Sequence, residues 1–160
     1  MNVGSLLEDV ENSQPYKDWK KDNPQHFFLI SLFAQIEDEK PVKWHVNYFC
    51  PGTEKTITFV TFPEIEFESE SELASNDVKA LDSSNATITF PEIIDKASEA
   101  FSSNYPNHTY KKLLATLHQE ERATWAINFL TEQAQTINMR ISADTGEVLS
   151  QKLFSLKDLT

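Results

Sequence analysis

The chain has 160 residues, 39% of them hydrophobic and 11% aromatic, which is enough to enclose a core in one ordinary domain or two very small ones. Fourteen Lys and Arg stand against 25 Asp and Glu, a net charge of −11. A surface this acidic repels phosphate backbones and anionic bilayers, which argues against nucleic-acid and membrane partners.

The first residues have no basic start followed by an apolar stretch, and no run reaches membrane-spanning length. With Cys50 as the single cysteine, the expected compartment is the reducing cytoplasm, where the sequons at Asn85 and Asn107 carry no meaning.

In chain order, Ser5 and Glu8 have the spacing of a capping box and predict a first helix, which Pro15 breaks or kinks before Tyr16-Lys17-Asp18-Trp19. From Val42, VKWHVNYFCPGTEKTITFVT alternates with period two, Trp44, Val46 and Tyr48 pointing one way, and predicts strands. Glu64, Glu66, Glu68, Glu70 and Glu72 also alternate. No glycine turn gathers them as a calcium loop would need, so they read as a solvated acidic strand or edge. Residues 69–84 are rich in Glu and Ser and poor in large apolar side chains, and predict a solvated connection with a short helix around Leu73 to Leu81.

A second helix is predicted over residues 90–103. Thr89 and Glu92 form a capping box, Ile88 and Ile93 a hydrophobic staple, and Pro91 lies in the first turn where its missing N–H costs little. Phe90, Ile93, Ile94, Ala97 and Phe101 give it one apolar face, which a sheet must cover. Trp125, Ile127 and Phe129 then alternate with Ala126, Asn128 and Leu130. Ile137, Met139, Ile141 and Ala143 alternate with Thr136, Asn138, Arg140 and Ser142, the pattern of half-buried strands.

The two halves are similar in order as well as type. Trp44, Val46, Asn47 and Tyr48 match Trp125, Ile127, Asn128 and Phe129 at a spacing of 81 residues, as Ala34 and Ile36 match Ala115 and Leu117. Asn-Pro-Gln-His at 23–26 faces Tyr-Pro-Asn-His at 105–108 at a spacing of 82, and Ile57 matches Ile137 at 80. Small drifts of this kind are what loop-length changes between duplicated units produce.

Few residues are candidates for chemistry. Asp144-Thr145-Gly146 would be half of an aspartic-protease dyad, but the aligned place in the first half, Thr-Phe-Pro-Glu-Ile-Glu-Phe at 61–67, holds no second Asp-Thr-Gly. The motif fits a hairpin turn with the Asp144 side chain as its cap and Gly146 in the left-handed conformation. His26, His45, His108 and His118 lack metal-ligand spacing, and Cys50 precedes Pro51-Gly52 at a strand end without the setting of a nucleophile. Neither a catalytic group nor a cofactor or metal site is expected. Trp44, Trp125, Phe129, Asp144 and Gly146 are candidate structural anchors.

The second half resembles a PepSY domain, on the helix Ile-Thr-Phe-Pro-Glu-Ile-Ile-Asp-Lys-Ala-Ser-Glu-Ala-Phe at 88–101, the strand opened by Trp125, and the closing Asn-Met-Arg-Ile-Ser-Ala-Asp-Thr-Gly-Glu-Val-Leu-Ser at 138–150. The first half keeps the tryptophan strand but lacks the Thr-Gly close. PepSY domains occur in propeptides of thermolysin-like metallopeptidases and in exported proteins, with a protease-regulating role proposed. The resemblance implies a non-enzymatic α+β protein of two tandem PepSY-like repeats, residues 1–68 and 85–160 with residues 69–84 between them, each a helix packed on an antiparallel sheet. Its expected work is binding a protein, a protease or a basic protein, through a sheet edge or the surface between the units. The alternative is a small-molecule binder with a pocket between helix and sheet lined by Trp125, Phe129 and Phe101.

Overall fold

A computed structural model describes residues 1–72 and 78–155. It is an α+β fold in which α1 (Val3–Glu11), α2 (Gln14–Asp22) and α3 (Phe90–Asn104) accompany eight antiparallel strands. These are β1 (Phe28–Glu37), β2 (His45–Cys50), β3 (Lys55–Val60), β4 (Glu66–Glu72), β5 (Tyr110–Gln119), β6 (Ala123–Thr131), β7 (Gln135–Ser142) and β8 (Val148–Ser155).

The strands form one continuous sheet, ordered β4-β3-β2-β1-β5-β6-β7-β8. Two separate small sheets were expected. What joins them is the pairing of β1 with β5, in which Ala34 faces Ala115, Leu32 faces Leu117 and Ile36 faces Leu113. From this seam the strands run outward in chain order on both sides. Each successive pair is a hairpin or near neighbour, the cheap way to make antiparallel contacts.

The helices begin where local chemistry satisfies their free N–H groups. Asn2, rather than Ser5, caps α1, its side chain accepting from the Ser5 amide at 3.2 Å, so the expected Ser5–Glu8 capping box does not form. Ser13 caps α2, and Pro15 lies in its first turn, which is why the chain breaks into two helices at that point. Thr89 occupies the N-cap position of α3 but makes no side-chain cap hydrogen bond; its ψ of 152° turns the chain into the helix, and Pro91 presets the first turn.

All three helices bury their apolar stripes in one core. Val3, Leu7 and Val10 of α1, Tyr16 and Trp19 of α2, and Phe90, Ile93, Ala97 and Phe101 of α3 join Leu32, Val46, Phe59, Leu117, Ile127, Phe129 and Met139 from the sheet. The stripe of each helix follows the i, i+3/i+4, i+7 spacing that a sheet face demands.

Residues 69–72 belong to β4, not to a connection, because they pair with β3 through Lys55↔Glu72 and Thr58↔Ser69. The expected helix around Leu73 to Leu81 lies partly outside the described residues; from residue 78 to Leu81 there is none, and a 3₁₀ turn follows at Ser83–Asn85. Leu81 is buried, and its amide donates to the Leu29 carbonyl at 2.8 Å, which ties the connection to the start of β1.

Candidate functional site

With every helix on one side, the other face of the sheet carries the outward side chains of all eight strands. Cross-strand pairing arranges them in rows. One runs His45, Phe33, Thr116, Ala126, Arg140, Ser150; another runs Gln35, Leu114, Asn128, Asn138, Lys152. Phe33, Leu114 and Leu130 are half-buried there, an apolar patch among polar neighbours.

The polar residues of this face are held by hydrogen bonds across strands. Asn47 donates to the Ser31 hydroxyl at 3.0 Å and accepts from the Thr58 hydroxyl at 2.7 Å. On the far side of the seam the Asn138 side-chain amide donates to Asn128 at 2.8 Å. Such pairs fix rotamers, so the face is preorganised.

One end of the face opens into a groove of about 850 Å³ lined by Lys79, Gln119, Glu120, Glu121, Arg122, Thr124, Arg140 and Leu149. Its centre is a forked ion pair: Arg140 Nε donates to Glu120 Oε1 at 3.0 Å and Nη2 to Oε2 at 2.8 Å. Burial alone pushes the Glu120 carboxyl up, but hydrogen bonds and charge from Arg140, with help from His118 and Thr124, outweigh it and hold the carboxyl below its ordinary value. The same pairing raises Arg140. No sequence pattern announces this pair, because residues 20 apart meet only when β5–β6 and β6–β7 pair in register. The visible signal was an arginine at an outward position of an alternating strand.

The two open edges differ. All residues of β4 are exposed and four are glutamates, with Lys43 and His45 close to Glu68 and Lys55 close to Glu70. This is the solvated acidic edge expected of Glu66 to Glu72, and charge of this kind deters edge-to-edge pairing. Strand β8 has a single charge, Lys152, whose ammonium lies 4.8 Å from the Phe154 ring centroid.

The anticipated anchors lie elsewhere, in or beside the core. Trp44 and Trp125 are buried and touch each other, rather than occupying separate cores, with rings 5.8 Å apart and Phe90 within 5.0 Å of both. Phe129 packs on Phe101 at 4.7 Å. Trp125, Phe129 and Phe101, the residues expected to line a pocket between helix and sheet, are all buried in the core.

Asp144-Thr145-Gly146 is the turn between β7 and β8, with Gly146 at φ 75°. The cap is Ser142, not Asp144: the buried Ser142 hydroxyl accepts from the amides of Asp144 and Thr145, and the Ser142 carbonyl from Gly146 at 2.8 Å. Asp144 instead accepts from the Thr87 hydroxyl, tying the turn to the segment before α3.

The histidines are dispersed. His45 meets Glu68 at 3.1 Å, His108 meets Gln135 at 2.6 Å and His118 lies 3.8 Å from Glu120. Among the described residues no group of three or more His, Cys, Asp or Glu is gathered as a metal site. Cys50 is a buried thiol whose pKa is raised by burial and by Glu70, the reverse of nucleophile activation.

No family model and no curated protein matches the chain. Among solved structures the fold is similar to the crystal structure of a "putative lipoprotein" (CD1622) from Clostridium difficile 630, at 14% identity and a TM-score of 0.57, covering 91% of this chain and 99% of that one. At this identity the likeness establishes the α+β fold and nothing about activity. No helix among the described residues is long and apolar enough to cross a membrane.

Proposed function

We propose that the protein is a non-catalytic binding module made of two PepSY-like units, one ending with β4 and one over residues 85–160, and that it regulates a protease or a basic protein by docking it on the helix-free sheet face. The observation that carries this is the uncovered face itself. Phe33, Leu114 and Leu130 form an apolar centre that no described element covers, ringed by side chains already fixed through Asn47, Asn128 and Asn138. An apolar centre with a rigid polar rim is the usual anatomy of a protein interface. The net charge of −11 and the glutamates of β4 favour a basic partner by steering.

Duplication draws support from equivalent positions. Ala34 and Ala115, 81 residues apart, pair at the seam, and Asn47 and Asn128, also 81 apart, each bind the neighbouring strand through a side chain at the matched place, Thr58 or Asn138. A reducing compartment suits the lone, buried Cys50. Small-molecule binding between helix and sheet draws support from the cleft beside Tyr48.

The test is direct. The purified protein is titrated against thermolysin-like metallopeptidases and basic serine peptidases, and compared with the Phe33→Asp/Leu114→Asp variant. Saturable inhibition that the variant loses while retaining its thermal melt is expected. Equal inhibition by the variant, or no effect on any peptidase and no complex with basic proteins by size exclusion, would refute the proposal.

A further inference from the structure

The start of β1 and the side of α2 border an open cleft of about 650 Å³, whose lining includes Glu11, Tyr16, Lys20, Lys21, Phe27 and Tyr48. That volume is in the range of small-molecule sites. Its wall is aromatic: Tyr16 lies 5.7 Å from Tyr48 and 6.1 Å from Phe27, and Phe27 lies 5.6 Å from Tyr48.

Tyr48 is 2% exposed, and its hydroxyl is buried without a hydrogen-bond partner. A buried donor left unmade is costly and uncommon, so each case asks for a partner. Tyr16, whose ring lies 5.7 Å away, does not provide it. A phenylalanine would have filled the same space at β2 without the orphaned oxygen.

The rim sets the charge of what would fit. Lys20 and Lys21 are exposed, and among the described residues neither is in an ion pair; the lining sets these two ammonium groups against one carboxylate, Glu11. The result is a local positive mouth on a protein of charge −11. Aromatic walls, a neutral phenol donor and two free ammonium groups complement an apolar body ending in an anionic acceptor.

We infer that this cleft binds small carboxylates with an aromatic or short aliphatic body, the carboxylate taking the Tyr48 hydroxyl proton as a hydrogen bond and facing Lys20 and Lys21. None of Phe33, Leu114 and Leu130, the apolar residues proposed to dock a partner, lines the cleft.

The probe is 3-phenylpropionate, titrated into the full chain and followed by amide chemical shifts, with 3-phenylpropanamide as the neutral control. Saturable shifts at Phe27, Leu29 and Tyr48 in the millimolar range or tighter are expected, with weaker binding of the amide. Tyr48→Phe keeps the ring and removes the donor, and should weaken binding about tenfold or more, the usual cost of one charge-assisted hydrogen bond. It should melt no lower than the parent, because it deletes an unsatisfied group. Lys20→Gln/Lys21→Gln, far from the core, should weaken the carboxylate severalfold and leave the amide unchanged. Absent or non-saturable shifts, shifts confined to the Glu120–Arg140 groove, or undiminished binding by Tyr48→Phe would each overturn the assignment.

Discussion

The indole rings of Trp44 and Trp125 meet at 5.8 Å and 61°, one from each half of the chain, and Phe90 of α3 stands against both, 4.9 Å from the first and 5.0 Å from the second. Three large aromatic side chains thus share one contact at the centre of the molecule. Trp125→Ala should cost about 3 to 5 kcal/mol as a core truncation. Since the rings touch, Trp44→Ala and Trp125→Ala should couple by roughly 0.5 to 3 kcal/mol in a double-mutant cycle. Denaturant melts check both; additive losses would mean that the halves hold separate cores.

That contact also marks how far the letters reach. Period-two alternation made Trp44, Trp125 and Phe129 inward residues, and helical spacing did the same for Phe90, Ile93, Ala97 and Phe101, because burial leaves a periodic trace in one segment. Whether two tryptophans 81 residues apart share a core or occupy two depends on the β1–β5 seam. No local pattern encodes a seam between non-neighbouring strands. The sequence equivalence of Ala34 and Ala115 was legible, while their pairing was not.

The same limit applies at the surface. The acidic edge of β4 was visible as alternating glutamates, but the Glu120–Arg140 fork and the Tyr16–Tyr48 cleft depend on register and helix placement. At the turn after β7, Gly146 was legible from the Asp-Thr-Gly pattern, and the capping residue was not, because Ser142 and Asp144 are chemically interchangeable as caps.

Gly146 allows a separation of causes. Its φ of 75° penalises any side chain, and an added Cβ would lie 2.6 Å from Lys96 Cε and 2.8 Å from Cδ. The contact is with the far end of a flexible chain, which can swing away, so backbone strain should dominate. Gly146→Ala should cost about 1 to 2 kcal/mol. Adding Lys96→Ala should recover little of that; near-complete recovery in thermal melts would assign the cost to the clash instead.

The Glu120–Arg140 fork contributes to stability at neutral pH because the folded carboxyl titrates below its unfolded value. That contribution is present above the unfolded pKa of about 4.3 and is lost as pH falls through the folded value. Glu120→Gln should therefore lower the melting midpoint at pH 7 and make the acid limb between about pH 5 and 3 shallower than in the parent. Parallel limbs for the two proteins would show that the fork has no linkage to folding.

At the alkaline end the sign reverses. Burial, the Glu11 charge and the hydrogen bond to Glu11 push the Tyr16 hydroxyl up to about 12, and burial also raises Tyr48. Both phenols must stay neutral in the folded chain, whereas an unfolded tyrosine ionises near 10. Their contribution is whole below about pH 10 and is lost as pH climbs toward the folded values, with a slope of about 1.4 kcal/mol per pH unit for each proton released on unfolding. Denaturant midpoints should therefore be flat in this respect from pH 8 to 10 and fall steeply above it. Tyr16→Phe removes one of the two protons and should make the fall shallower, while phenolate absorbance in the folded parent should show two tyrosines titrating late. Tyr16 and Tyr48 ionising near pH 10, with the fold intact, would mean that the pair is open to water.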